Sequence, residues 1–578
     1  MVYSYLQAFQ SKTEFEQYGA NGHLLYTLGL RERIEDIHSV AATSLTDGNN
    51  DKKADLVYID EEKGLAVVAQ GYYSIRPRQS APANKASDLN IAAAWLLGRE
   101  IEDLPEQLKS KATELREALG NGTIHRLEFW YVHNLEESKN VEDEMTTVEH
   151  TAKEFIGRYV PEQGGTPIDI LGLEVGNNKI EEWYLDSEAT ISVTKEYTLD
   201  VVNGFKIETS EWDAFVTFIS GKWLYDLYHE HERKLFSANI RDYLGHRRSD
   251  KNINFGITQT AQFNSSNFWV FNNGITALVN KFEQLSEDES KLLVEGISIV
   301  NGAQTTGALG QLASPPSEDL LIPIRFVVCK TTAIVKKIIE YNNKQNKIEA
   351  TDFRSNDAVQ RRLRSEFDKL EGVYYDGGRR TDGSMSQGGY DYLPSYTVAQ
   401  SLTAFYGNPI NAGNSKSEIW SNNSLYERVF NDGTNSENII FVYSLFRAIE
   451  KIKLDLSYKE TLSEREKEHL QFLRYRKSFF LLCYAISTVL EEILDRPIPA
   501  KTSLKFRREM KPSEAIELWY PVVRMAMNFS KPLISVMETG VKNMDNVNLG
   551  VEQFKAAFSS FLDITRDGVA AFAEEVQA

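Results

Sequence analysis

The spacing of apolar and polar positions divides the chain into stretches of different period. Up to about residue 205, strands and helices alternate. The pattern predicts a helix near Glu14–Leu30, then a polar loop, SLTDGNNDKKA, then two apolar strands, ADLVYID and GLAVVAQGYY. Glu61-Glu62-Lys63-Gly64 joins these strands, and its glycine suits a tight hairpin turn. A loop with Pro77 and Pro82 leads into a predicted helix, KASDLNIAAAWLLG. IHRLEFWYVHNL, PIDILGLEV and SVTKEYTLDVV then read as strands separated by helices. Residues 206–405 continue as α/β. Here FWVFNNGITAL and ISIVNGAQTTGAL each read as an apolar strand that breaks at an Asn-Gly pair. From 406 to 578 the period is helical, most clearly in FVYSLFRAIEKI, LRYRKSFFLLCYAISTVLEEIL and AIELWYPVVRMAMNF. The expected fold is an α/β N-terminal domain (1–205), an α/β central domain (206–405) and an all-α C-terminal domain (406–578). Three domains suit a chain of 578 residues, which is longer than one core fills.

Composition narrows the function classes. Hydrophobic content of 42% and aromatic content of 11% describe a globular protein. The formal net charge of −19 excludes a surface that is basic all over, so any nucleic-acid binding must run through a local groove. Cys329 and Cys483 are the only cysteines, which excludes a disulfide scaffold and a cysteine-rich zinc site and fits a reducing cytoplasm. MVYSYLQAFQSKTEFE has no basic start followed by an apolar block, so no signal peptide is expected. The apolar run near Phe479–Leu490 is too short to span a bilayer and reads as a buried helix; no membrane association is expected. Trp519-Tyr520 reads as core. Nothing in these counts opposes a homo-oligomer.

Two places carry candidate chemistry. In the first hairpin, Asp55 begins one strand and Gln70 ends the next, an arrangement that resembles the PD-(D/E)xK nuclease, a restriction-endonuclease-like core. There an acid on one strand, and an acid or Gln plus a Lys on the next, hold a divalent metal and an attacking water. Asp55, the Gln70 side-chain carbonyl and a backbone carbonyl are oxygen donors suited to Mg²⁺, or Mn²⁺, and Glu16 on the preceding helix is a further candidate. Two residues after Gln70, where the Lys should stand, the chain has Tyr72, which cannot supply an ammonium. Lys85, at the start of the next helix, is the candidate replacement. The alternative is a plain amphipathic hairpin with an exposed Asp.

The second place is rich in amides: SANIRDYLG (237–245), FNNGIT (271–276), VNGAQTT (300–306) and YNNKQNKIEATDFRSND (341–357). Neutral amides donate and accept hydrogen bonds at once, which suits reading a base, a nucleotide or a backbone. In the third block a strand meets a glycine turn and a helix N-terminus, an anion-binding arrangement that Thr305 or Thr306 could cap. Asn342 and Asn346 fall on one face of a continuing helix. The next helix, NDAVQRRLRSEFDKL, is expected to bury Val359, Leu363 and Phe367. It turns Arg361, Arg362 and Arg364 outward, and with Arg241, Arg247, Arg248, Lys251, Arg379 and Arg380 these would form the local basic groove. A structural amide network is the competing reading. No P-loop and no convincing GxSxG occurs, and His229 and His231 lack metal-site spacing.

LFSANIRDYLG, FWVFNNGIT, IVNGAQTTGAL and EYNNKQNKIEATDFRSNDAVQRRLRSEF, in this order and spacing over about 230–380, resemble the abortive-infection phage-resistance (AIPR) family. The N-terminal hairpin is similar to the nuclease-like region often found ahead of that motif, where Q-x-K is common and this chain has Gln70-Gly71-Tyr72. The resemblance implies a bacterial antiphage role. Its central motif falls on Asn239, Arg241, Asn272, Asn273, Gly274, Asn301, Gly302, Gln304, Thr305, Asn342, Asn343, Gln345, Asn346, Asp352 and Arg354. The expectation is a cytoplasmic defence protein that hydrolyses nucleic acid with Mg²⁺ at Asp55, Gln70 and Lys85 while the central groove holds the strand. The alternative is a non-cutting sensor triggered by a nucleotide, DNA or a phage protein. A nucleotide hydrolase at the 300–306 turn is a third reading, with only Asp352 or Asp357 as a general base.

Overall fold

The computed structural model describes residues 3–46, 51–76, 78–159, 168–188, 191, 193–201, 203–231, 235–236, 250–285, 290–317, 319–331, 334, 338, 351, 354, 357–378, 391–414, 416–538 and 541–578. They form two compact units. Leu6–Asn178 and Glu349–Ala578 together make a composite unit, while Met1–Tyr5 and Lys179–Ile348 make a central unit.

In the composite unit a mixed four-stranded sheet runs in the order β1 (Leu56–Asp60), β2 (Leu65–Tyr72), β3 (Arg126–His133), β4 (Asp169–Val175). β1 and β2 form the predicted antiparallel hairpin, and β2, β3 and β4 are parallel. Gly64 closes the hairpin at φ +68°, in the left-handed region that glycine favours. β1 is buried throughout and β3 at every residue but Arg126, which is why both read as near-continuous apolar runs. One face of the sheet (Val57, Ile59, Val68, Phe129) packs on Leu89, Leu96, Leu115 and Met145 from the covering helices.

Two predicted helices are broken. Glu14–Leu30 divides into a 3₁₀ segment, Thr13–Asn21, kinked near its end where Gly19 takes φ +53°, and an α-helix, Gly22–Glu32. KASDLNIAAAWLLG is three short turns, Ala83–Ser87, Leu89–Ala93 and Ala94–Gly98, the last with π-type bonding.

The C-terminal residues are helical as predicted. Ser436–Tyr458, Arg476–Thr488 and Pro512–Met527 are the main core helices. Trp519 is fully buried, with its indole N–H donating to the Phe441 carbonyl at 2.9 Å. Among the described residues no helix is long and apolar enough to cross a membrane.

These helices and the α/β layer share a buried ionic cluster. Arg447, 1% exposed, donates to Asp36 at 2.7 Å, to Glu450 at 2.6 Å and to the Tyr443 hydroxyl at 2.8 Å. Asp36 also accepts from the Ser39 N–H at 3.1 Å, capping the helix Ile37–Ser44, and from the Thr397 hydroxyl at 2.5 Å. Ser39 donates its hydroxyl to Glu450 at 2.6 Å. Burial opposes ionisation of Asp36, but Arg447 and the two hydroxyl and guanidinium hydrogen bonds hold its carboxyl below the usual value; burial keeps that of Glu450 raised. Further ties run from Glu62 to the Ser417 N–H (3.0 Å) and from Glu35 to the Ser395 N–H (2.8 Å).

The central unit is built on a seven-stranded sheet, ordered β5 (Val193–Asp200), β10 (Lys291–Asn301), β8 (Ile275–Leu278), β11 (Leu321–Cys329), β7 (Trp212–Ser220), β6 (Gly204–Glu208), with β9 (Lys281–Gln284) also paired to β10. SVTKEYTLDVV therefore pairs with β10 and does not extend the first sheet. FWVF is not a strand. Phe268–Phe271 is a helical turn, closed where both the backbone and the side-chain N–H groups of Asn272 donate to the Phe268 carbonyl, and β8 starts only after Gly274.

Removing the Arg447 charge leaves two carboxylates buried against each other. Arg447→Met is expected to lower stability by about 3–5 kcal/mol, as loss of one partner of a buried ion pair does. Adding Glu450→Gln should recover part of that loss. Denaturant unfolding of the two variants checks both statements.

Candidate functional site

Asp55 and Gln70 lie at the edge of the first sheet where β1 begins and β2 ends. The Asp55 N–H donates to the Ala69 carbonyl at 2.9 Å, continuing the ladder one residue beyond β1. Its carboxylate accepts from the Gly71 N–H at 2.8 Å. Gln70 is 4% exposed, and its Oε1 has no hydrogen-bond partner among the described residues. It stands in register with Tyr131 of β3, which in turn stands in register with Glu174 of β4. The Tyr131 hydroxyl donates to the Pro82 carbonyl at 3.4 Å, and the same carbonyl accepts the Lys85 N–H at 3.0 Å. The start of the Lys85 turn is thus fixed over the strand beside Gln70.

Burial pushes the Asp55 carboxyl up to about 6, against the Gly71 hydrogen bond and the charges of Lys85 and Lys53; Asp51 adds to the rise. Lys85 is close enough for its charge to act on Asp55. Glu16 is exposed on a segment that buries Phe15 and Tyr18.

The carboxyl ends of β3 and β4 add residues that the sequence did not single out. The Leu135 N–H donates to His133 Nδ1 at 3.3 Å, so Nε2 carries the ring hydrogen and donates to Glu174 at 3.1 Å. Glu174 also accepts the Ser138 N–H at 3.1 Å. Asn134 and Ser74 exchange two hydrogen bonds, at 2.7 and 2.9 Å, and tie the ends of β2 and β3 together. His23 is buried beside His133, and burial, with His133 adding to it, lowers its pKa to about 3, so the ring stays neutral. Spacing alone could not have revealed this group, because its members meet only through the parallel register.

In the central unit two amide blocks converge. Asn301 ends β10 and pairs with Thr276 of β8, three residues past Asn273. Gly302 takes φ +98° at the start of the helix Ala303–Gly310, and a Cβ there would lie 2.7 Å from Ile275 Cγ1. A Cβ on Gly274 would lie 2.7 Å from the Pro323 carbonyl oxygen. Both Asn-Gly pairs are thus packing requirements as well as turns. The helix has no side-chain cap. Thr306 donates its hydroxyl back to the Gly302 carbonyl at 2.9 Å and Thr305 is buried, so neither performs the expected capping. Asn273 is exposed, whereas Asn272 and Gln304 are half-buried. Arg325 of β11, missed in the sequence, is exposed beside them and donates to the Thr276 hydroxyl at 2.6 Å. An arginine interrupting the apolar run LIPIRFVVC was the available signal.

Arg354 and Arg361 belong to the composite unit. Arg354 stacks on Tyr426, 4.4 Å from its ring centre, and donates to the Trp420 carbonyl and to Asn423. Its guanidinium is a packing element, not an outward-facing binding group. Arg361 is exposed on the helix Ala358–Phe367. Arg362 and Arg364 are engaged internally, with Glu366 and the Thr434 carbonyl, and with the Gly377 carbonyl. Gln360, not Val359, is the third buried residue of that helix, held between the Tyr426 and Tyr375 hydroxyls at 3.1 and 2.8 Å. Asp357 caps the helix. Asn239, Arg241, Asn342, Asn343, Gln345, Asn346 and Asp352 lie outside the described residues.

Residues 236–497 match a family model described as AIPR protein, and the match supports assignment to that family. It covers under half of the chain, draws on both units and leaves out the sheet that carries Asp55 and Gln70. No curated protein and no solved structure matches.

The Asp55 carboxyl holds its proton to about 6 in the fold, against 3.8 for the ordinary group, so between those values the folded chain binds more protons than the unfolded one. Stability then falls as pH rises through this window and stays lower above it. Asp55→Asn is expected to raise the melting temperature near neutral pH in chelator, with the gain vanishing below about pH 4, where the unfolded group is also protonated. A pH series of melting curves tests this. In the central unit, Gly302→Ala forces a side chain into positive φ and should cost about 1–3 kcal/mol. Hydrogen exchange of the β8 and β10 amides would report it as faster local opening.

Proposed function

We propose that this chain is an antiphage defence protein of the abortive-infection kind that hydrolyses phosphodiester bonds, with the composite unit's sheet acting as a restriction-endonuclease-like core. One observation carries the reading: the Gln70 carbonyl oxygen is buried and, among the described residues, without a partner at the strand end next to the raised carboxyl of Asp55. A buried acceptor left unmatched is unfavourable, and a divalent cation bound to both oxygens would relieve it. The donors fit Mg²⁺ or Mn²⁺ in kind. Among the described residues no three His, Cys, Asp or Glu side chains gather as a metal cluster, so an ion here would rest on Asp55, Gln70 and a backbone carbonyl. When bound, it would supply Lewis-acid stabilisation of the phosphate and a more acidic water.

The chain's own groups have separate roles. The Gly71 N–H orients the Asp55 carboxylate, which is mostly ionised above about pH 6. Lys85 brings the ammonium that Tyr72 does not, to neutralise charge on the phosphate. The Asn-Gly turns and Arg325 offer the hydrogen-bond donors and acceptors through which the central unit would hold the strand. The defence role rests on the family match.

A second reading, a non-cutting sensor, is favoured by Tyr72 standing at the lysine position. Here the converging amide turns would bind a nucleotide, DNA or a phage component without cleavage.

Purified protein incubated with supercoiled plasmid, single-stranded DNA and RNA in Mg²⁺ or Mn²⁺ separates the two. Cleavage by the wild type that is lost in Asp55→Ala and at least about a hundredfold slower in Lys85→Ala, the low end of what an electrostatic catalytic group contributes, is the expected result. Cleavage unchanged in Asp55→Ala would overturn the nuclease reading.

A further inference from the structure

The turn leading into Asp55 is strained. Lys52 and Lys53 are adjacent non-glycine residues with φ +52° and +72°, a backbone conformation that L side chains rarely adopt. Strain of this kind persists only where surrounding contacts over-determine it. Three contacts do so here. The Asp51 carboxylate accepts the Lys53 N–H at 2.9 Å. The Lys52 ammonium sits over the Trp95 ring, 4.7 Å from its centre. The Lys53 ammonium pairs with Asp88 at 3.4 Å.

The Ala54 N–H closes this four-residue turn on the Asp51 carbonyl at 3.2 Å, with Lys52 and Lys53 at its centre. What it achieves is the position of one cation. Lys53 is 46% exposed and therefore open to a ligand, and it stands two residues before Asp55. Asp88 stands at the end of the Lys85 turn, so the Lys53–Asp88 pair links the strained turn to the helix segment that carries Lys85. Two ammonium groups thus flank the edge where Gln70 Oε1 is buried and unmatched.

We propose that Lys53 is a second phosphate-binding residue of this edge, held there by the strained turn and by Asp88, and that with Lys85 it takes the place of the lysine that Tyr72 displaces. The proposal rests on the nuclease reading for its substrate class, a nucleic-acid backbone. Lys53 acts by binding a phosphate oxygen and Asp88 by positioning Lys53.

Glycine substitutions separate function from folding. Lys53→Gly removes the ammonium and at the same time relieves a positive φ, so its melting temperature should equal or exceed that of the wild type. Lys52→Gly relieves the neighbouring strain and leaves Lys53 in place. Binding of a fluorescent single-stranded oligonucleotide is measured by anisotropy in Ca²⁺ over a salt series, and cleavage in Mg²⁺.

Lys53→Gly is expected to weaken binding about tenfold, the lower end for a charge-assisted hydrogen bond, and to reduce the salt slope by about one. Lys52→Gly should bind as the wild type, and Lys53→Arg should retain most of the affinity. Wild-type affinity and salt slope in Lys53→Gly would overturn the proposal, as would equal losses in both glycine variants or a wild type that binds no oligonucleotide. If the wild type binds, Lys53→Gly loses binding and neither cleaves, the phosphate site stands and the nuclease reading fails. If the wild type cleaves and Lys53→Gly cleaves with unchanged KM and kcat, the nuclease reading stands and Lys53 fails.

Discussion

One guanidinium holds the composite unit together. Arg447 lies in a dry interior, between a carboxylate from the α/β layer and one from its own helix. A charge in that position is stable only with its partners in place, and each partner is stable only with the charge. Asp36 caps a helix and accepts the Thr397 hydroxyl, so the same cluster fixes the helix Ile37–Ser44 against Ser395–Phe405. That helix lies next to β1 in the chain, and β1 leads directly from Asp55. The geometry of the Asp55 edge thus depends on a cluster whose own members, Asp36 and Arg447, stand 411 positions apart in sequence.

Much of this was readable from the chain. Apolar runs that fill both faces of a buried sheet gave away β1 to β3, and helical spacing gave away the C-terminal core. Asp55, Gln70 and Lys85 were singled out by offset along a hairpin and by the missing lysine after Gln70. What was not readable depends on contacts across the fold. Lys53 lies in a polar loop that looks like a solvated linker, and only its φ and its pairing with Asp88 distinguish it. Arg354 looked like a binding group, but a guanidinium over a tyrosine ring is equally a packing element. FWVF misled because aromatic residues favour strands on average, while Asn272 closes a turn on Phe268. The backbone of Thr306 continues the helix, and its hydroxyl bonds back to Gly302 instead of capping.

The two candidate regions use opposite physics. At the Asp55 edge Gln70 is buried and Asp55 half-buried; burial raises the Asp55 carboxyl, and Gln70 Oε1 has no partner among the described residues. At the Asn-Gly turns the glycines are fixed by close approach to Ile275 and Pro323, and Asn273 is exposed.

The composite unit is interrupted in sequence by Lys179–Ile348, and this has a consequence for how the protein is made. Asp36 and Arg447 are separated by 411 positions, so at translation rates of about 5–20 residues per second the nascent chain carries Asp36 without its counterion for roughly 20–80 s. Throughout that interval the α/β layer lacks the helices that complete its core. A hydrolytic edge built this way would mature only after the helical segment has left the ribosome, so synthesis order alone would delay its onset in the cell that makes it.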